Sequence, residues 1–250
     1  MVIRILVLFL LTCSLFASAT ELVIYGNQNK PPKIYLENSD AKGILVDILA
    51  QVEDETGERF DIKLYPWARA YNYAKHAQGG IVGLSKTKER LDIFDYSDAV
   101  YYDEIILVVR AGEEFNFNSI NDLGGKTIGI GRAGSYGDEY ETAKNDKLFQ
   151  VEEDSDPVFR LKKLLHSRID VALIGPGLVG FNSVVNQDPE LQSRKHEFYV
   201  IATPFKRDAN FLGFHKSLVK KAFLQKFNQA LKKAEDHGEI DKIIGRYVKQ

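Results

Sequence analysis

The segment Lys126–Tyr140 reads KTIGIGRAGSYGDEY, and GIGRAG within it matches G-x-G-x-x-G. In dinucleotide-binding proteins such glycines allow a tight turn, and a helix N-terminus receives the pyrophosphate. The same backbone N–H groups and helix dipole serve a carboxylate equally well. Gly134, Ser135 and Tyr136 are therefore expected to form an anion-binding loop. The acidic run Glu152–Asp154 stands about where a ribose-binding acid would be sought. A second chemical stretch, GLSKTKERLDIFDYSD, begins at Gly83. Its Arg90 offers a fixed fork of donors that fits a carboxylate and stays charged when desolvated; alternatively it is a surface cation paired with Asp92 or Asp95. Ser85–Lys88 also matches the S-x-x-K nucleophile pattern, but no K-T-G or S-D-N accompanies it. The five histidines (His76, His166, His196, His215 and His237) show no zinc-type spacing, and no G-x-S-x-G elbow occurs. Neither a metal nor a cofactor is expected.

Short apolar runs that alternate with amphipathic stretches must position these groups, a pattern that predicts α/β architecture. Strands are expected at Leu22–Tyr25, Phe60–Leu64, Ile81–Leu84, Ile105–Val109, Thr127–Gly131, Asp170–Gly175, Phe198–Ile201 and Phe211–Phe214. Between them, Gly43–Thr56 places Leu45, Ile48, Leu49 and Val52 on one helical face. Pro66 opens a helix to about Gln78, Gly137–Asn145 forms another, and Ser155-Asp156-Pro157 caps a helix bearing Leu161, Leu164 and Leu165. Two helices separated by Gly238 close the chain. Two such sets without an evident linker predict two lobes and a cleft.

The N-terminus has a basic start at Arg4, the apolar run Ile5–Leu11 and the small-x-small site Ala17-Ser18-Ala19. This predicts a secretory signal peptide cleaved after Ala19; a lipoprotein anchored at Cys13 is the alternative. Cleavage removes Arg4 and the only Cys, leaving 231 residues with 32 basic and 35 acidic side chains. Disulfides and thiolate metal sites are thereby excluded, and the acidic balance argues against nucleic acid. No later segment approaches the ~18 apolar residues of a membrane span, so a soluble periplasmic chain is expected.

Four motifs in order give the chain a recognisable likeness. They are GILVD at Gly43, the S-x-T-x-x-R of Ser85–Arg90 with Ser97 following, INDLGGKTIGIG at Ile120, and HGEIDKIIGRY at the end. The set resembles the amino-acid-type (family 3) bacterial extracellular solute-binding proteins over nearly the whole mature chain. The resemblance implies a type II Venus-flytrap fold, two α/β lobes closing on ligand by hinge bending. One lobe would comprise residues 21–106 and 208–250, the other 107–207, with crossings near Asp103–Ile106 and Lys206–Asn210. It implies that Arg90 grips the ligand carboxylate, that Ser85 and Gly83 bind beside it, and that Gly134–Tyr136 contribute from the second lobe. Trp67 and Arg69, in PWARAYNY, are expected on the first lobe's wall, with Tyr25, Asn29 and Tyr101 as further candidates.

One departure bears on specificity. Family members that bind amino acids carry an Asp, just after the strand resembling DVALIG, that pairs with the α-ammonium. Here Gly175-Pro176 occupies that place, and a buried ammonium without an anionic partner is costly. The implied ligand is thus a small anion, a modified amino acid, or a peptide or peptidoglycan fragment. Implied partners are the permease subunits of an ABC transporter or a sensor receptor, with the protein itself a monomer. Two alternatives differ in class. A secreted enzyme resembling cyclohexadienyl dehydratase would need an acid or base such as Glu89, Asp138 or Glu139 beside the clamp. A degenerate member would bind another protein.

Overall fold

The computed structural model describes residues 21–248; the expected signal peptide and Cys13 lie outside them. Nine strands form one hydrogen-bonded sheet in the order Phe60–Tyr65, Leu22–Asn27, Gly80–Leu84, Lys206–His215, Phe94–Arg110, Val171–Ile174, Thr127–Gly131 and Gln150–Asp154, with Phe198–Val200 also paired to Phe94–Arg110. At either end the pairs are parallel, as βα units require. Strands Phe94–Arg110 and Lys206–His215 run antiparallel to each other through the middle, and the segments expected to cross between lobes are register partners there. Two hydrophobic clusters draw on residues 22–101 and 212–247; two others draw on 105–205. Each group is a separate core, so the chain folds as two α/β lobes joined by two strands.

Local chemistry explains most elements. Helix Ile44–Thr56 buries Ile44, Leu45, Ile48, Leu49 and Val52 and ends where left-handed Gly57 returns its N–H to the Glu53 carbonyl. Asp156 caps Pro157–Leu165 by accepting from the Val158 N–H. Differences from expectation have physical causes. Pro66 is the residue before helix Trp67–Lys75, which ends before Gln78. Ile105–Val109 is only the end of the 17-residue Phe94–Arg110 strand. Its acidic first half pairs with a partner about a hundred residues away, and such pairing outweighs local propensity. The small hairpin sheet of Asn29–Lys30, Ile34–Glu37 and Asp40–Lys42, strand Gln150–Asp154 and helix Gly177–Asn186 were not foreseen. In that helix Gly180 lies so close to Gly175-Pro176 that a Cβ would come within 2.7 Å of Pro176 Cδ.

The crossing ladder contains a repair. Its register shifts around Phe211, leaving Leu212 without a register partner on Phe94–Arg110. Buried Ser97 fills the gap: its Oγ accepts the Leu212 N–H at 3.0 Å and donates to the Asp98 carbonyl at 2.6 Å. Ser97→Ala should strand that buried N–H at a cost of about 1–3 kcal/mol. Urea denaturation should then show a lower midpoint with an unchanged slope. A wild-type midpoint would mean that the ladder closes without the hydroxyl.

Candidate functional site

The S-x-T-x-x-R spacing has a structural reason. Ser85 follows strand Gly80–Leu84; Thr87 caps the short helix Lys88–Ile93 by accepting the Arg90 N–H at 3.2 Å, which turns Arg90 back beneath the strand end. Arg90 is only 5% exposed. Its guanidinium lies 4.9 Å from the Tyr71 ring centre and donates to the Ser85 carbonyl at 3.3 Å. It also donates to the Ala133 carbonyl of the second lobe, at 3.3 Å. Among the described residues no carboxylate pairs with it; Asp95 instead lies 3.8 Å from Lys221. Trp67 Nε1 donates to the same Ala133 carbonyl at 3.1 Å. These bonds close the lobes over a cavity of about 1020 Å³, its open mouth included.

Of the residues singled out from sequence, Arg90, Ser85, Gly83, Trp67, Gly134, Ser135, Tyr136 and Asn29 all line this cavity. Arg69 does not: it is exposed, with its guanidinium 5.7 Å from the Tyr65 ring centre. Tyr25 is buried in an aromatic cluster with Tyr65 and Tyr73, and Tyr101 packs on the first lobe's core. Gly175 is outside the lining and packed against Ile105, where a Cβ would sit 2.8 Å from Cδ1. A side chain at the place of the expected acid would have to displace the tip of Ile105. Glu89, Asp138 and Glu139 are exposed and also outside the lining.

The GIGRAG loop turns as expected but does not end in a free helix terminus. The Gly134 N–H returns to the Gly131 carbonyl at 2.8 Å, and Ala133 takes a left-handed φ of 56°. The helix starts at Asp138, with Asp138, Glu139 and Glu141 in its first turn. Those acids already balance the dipole, and Ser135 Oγ donates to Glu141 at 2.7 Å. Burial pushes the Tyr136 phenol above its ordinary value. The acidic run nearby is also engaged: Glu152 pairs with Lys163 and Asp154 with Arg160. Of that run only Asp154 lines the cavity, and Arg160 already holds it; Glu152 and Glu153 are exposed.

The sequence reading missed most of the cavity's charge. Lys30, Lys33, Arg132 and Arg160 line it, against Asp154 and Asp208. Arg160, 1% exposed, grips Asp154 through Nε at 3.1 Å and a terminal nitrogen at 2.7 Å, and donates to the Leu173 carbonyl at 2.7 Å. Lys33 pairs with buried Asp103 and donates to Asn210 Oδ1 at 3.1 Å. Asp208 accepts from Ser85 Oγ at 2.5 Å and pairs with Lys206 at 2.9 Å. The Lys30 ammonium, half-buried, has no hydrogen bond or ion pair among the described residues. Burial first, then Arg160 and Lys33, push it down to about 7 against the pull of Asp103 and Asp154. A signal for Arg160 was present, since a charge at the fourth position before Leu164 interrupts that helix's apolar stripe. For Lys30 and Lys33 the only signal was their place after the first strand, because open α/β sheets bind ligands at the carboxyl ends of strands.

The pattern of bacterial extracellular solute-binding proteins, family 3, matches residues 22–250. The chain belongs to that family. It is 25% identical over 229 residues to the arginine-binding extracellular protein ArtP of Bacillus subtilis (strain 168), covering 89% of this chain and 84% of ArtP. Among solved structures, the arginine-, lysine-, histidine-binding protein ArtJ of Geobacillus stearothermophilus superposes with a TM-score of 0.71 at 22% identity, over 92% of this chain and 96% of ArtJ. A histidine kinase sensor domain with similarity to periplasmic binding proteins gives 0.74 at 15% identity, over 91% and 95%. The two-lobed fold of this solute-binding protein is thus the periplasmic-binding-protein fold. No helix of its described residues is long and apolar enough to cross a membrane.

The uncompensated Lys30 has a consequence for stability. A lysine whose folded value falls from 10.5 to about 7 binds its proton more weakly folded than unfolded. The resulting penalty is absent above the unfolded value, grows as pH falls towards 7 and is constant below it. Lys30→Met should therefore raise stability by about 1–3 kcal/mol at pH 7 and by much less at pH 10. Thermal melts at the two pH values check this, and equal shifts at both would show that Lys30 carries no charge penalty.

Proposed function

We propose that this solute-binding protein captures a small carboxylate-bearing ligand between its lobes, with Arg90 as the carboxylate clamp. The observation that supports this most is a buried guanidinium facing an inter-lobe cavity with no acid beside it. Ser85 and Gly83 flank the clamp on one lobe, and Gly134, Ser135 and Tyr136 face it from the other. Residues 21–106 with 208–250 and residues 107–207 are the moving bodies. The protein works in the periplasm after loss of its signal peptide, as a monomer. It hands ligand to the membrane subunits of a transporter, or is read by a sensor that prefers the closed form.

Relatives named for binding arginine bring that amino acid into consideration. The ion pairs of this chain argue for an anion instead. Asp154 and Asp208 in the lining, and Asp103 beside Lys33, are each engaged by a cation of the protein itself. An ammonium or guanidinium entering here would have to break one of these pairs. Binding without catalysis is favoured because the carboxylates considered as acid or base lie outside the lining.

The test is thermal unfolding of the mature protein and of Arg90→Ala and Arg90→Lys with amino acids, dicarboxylates, aromatic acids, peptidoglycan fragments and NAD. A ligand at about a hundred times Kd adds roughly 2.7 kcal/mol and moves the melting temperature by a few degrees. A carboxylate should produce that shift, Arg90→Ala should abolish it, and Arg90→Lys should restore little, because a point charge lacks the fork. A shift with NAD that ignores Arg90 would replace the clamp with a nucleotide site.

A further inference from the structure

We propose that the ligand carries a second acidic group, bound at a subsite formed by Lys30, and lacks a basic amine. The inference rests on the proposed Arg90 clamp and names the class of solute as a small dicarboxylate. Arg90 and Lys30 both line the cavity. The other cations near Lys30, buried Arg160 and half-buried Lys33, are already matched: Arg160 by Asp154, and Lys33 by Asp103 and Asn210. Their partners are distinct from those of Arg90, the Ser85 and Ala133 carbonyls. Among the described residues three cations of the lining have no ion-pair partner: Arg90, Lys30 and Arg132, and only Arg132 is exposed, so that water serves its charge.

A monocarboxylate on Arg90 leaves the Lys30 ammonium without an ion-pair partner of its own, since Asp103 and Asp154 are held by Lys33 and Arg160. A second carboxylate supplies that partner and draws a proton onto the lysine. Burial, Arg160 and Lys33 push the Lys30 ammonium down to about 7 against the pull of Asp103 and Asp154. An anion beside it raises that value, so binding above pH 7 takes up a proton, and affinity falls as pH rises further.

The experiment is isothermal titration calorimetry at pH 8 with α,ω-dicarboxylates from malonate to adipate, the matching monocarboxylates, glutamate and arginine. Wild type, Lys30→Met, Lys30→Arg and Arg90→Ala are each titrated in two buffers of different ionisation enthalpy. At least one dicarboxylate should bind tenfold or more tighter than its monocarboxylate, with uptake of close to one proton. Lys30→Met should erase both the preference and the uptake; Lys30→Arg should keep the preference and lose the uptake. Binding of a monocarboxylate, glutamate or arginine that needs Arg90 but ignores Lys30 overturns the second acid and leaves the clamp. Binding indifferent to Arg90 removes the clamp itself. Failure of every dicarboxylate to bind overturns the inference outright.

Discussion

The cleft depends on a single awkward pairing in the crossing ladder, where Asp208 stands directly opposite Asp103. The two are 8% and 2% exposed, and like charges opposite one another in a sheet repel. Each must be neutralised, and the groups that do so build the floor of the site. Asp103 draws in Lys33 from the loop after the first strand and the Asn210 amide from the facing strand. Asp208 holds Lys206 and the Ser85 hydroxyl. Fixing Ser85 also fixes its carbonyl, which accepts from Arg90 and from the Tyr96 hydroxyl. The hinge, the floor and the clamp are one hydrogen-bonded structure.

That arrangement bears on what the cleft offers an amine. The protein has already supplied cations for the two carboxylates of the ladder, and Gly175 stands where another acid was expected. The buried Arg160–Asp154 pair does the same on the second lobe. Such pairs add little net stability, because desolvation offsets most of the attraction, but breaking one exposes an uncompensated buried charge. Rigid lining of this kind favours a ligand that leaves the pairs intact.

The fold was legible because its signals are local: runs of period two and 3.6, capping residues, and turn glycines such as Gly57 and Gly238. Arg90, Ser85 and the Gly134–Tyr136 loop were legible for a related reason, since spacing within a few residues sets the cap and turn that aim them. Lys33 and Asp208 escaped because their roles arise from partners 70 to more than 100 residues away, and Lys30 because the cavity it lines is assembled from segments equally distant in the chain. Arg69 misled through its closeness to Trp67: two residues on is more than half a turn round a helix, which carries it away from the cleft. The GIGRAG match showed the turn correctly but not the helix charge, because Asp138, Glu139 and Glu141 sit just beyond the pattern.

Closure can then be understood as charge balance. Arg90 and Trp67 meet the Ala133 carbonyl, Asn29 donates to Asp156 at 3.1 Å, and the Lys88 N–H reaches Asp138 at 3.0 Å. These bonds hold the lobes together, while buried Arg90 and half-buried Lys30 face the cleft without an ion-pair partner among the described residues, which works against the same closure. Coulomb energies at such sites, where the effective dielectric is about 20, are a few kcal/mol. That is comparable to the preference needed to move a two-state equilibrium from mostly open to mostly closed, about 5.5 kcal/mol at the extreme. On the proposed reading, a ligand that supplies negative charge gains most in the closed form, where these cations are least hydrated. It therefore binds that form better, and this difference in affinity is what a ligand needs to shift a population.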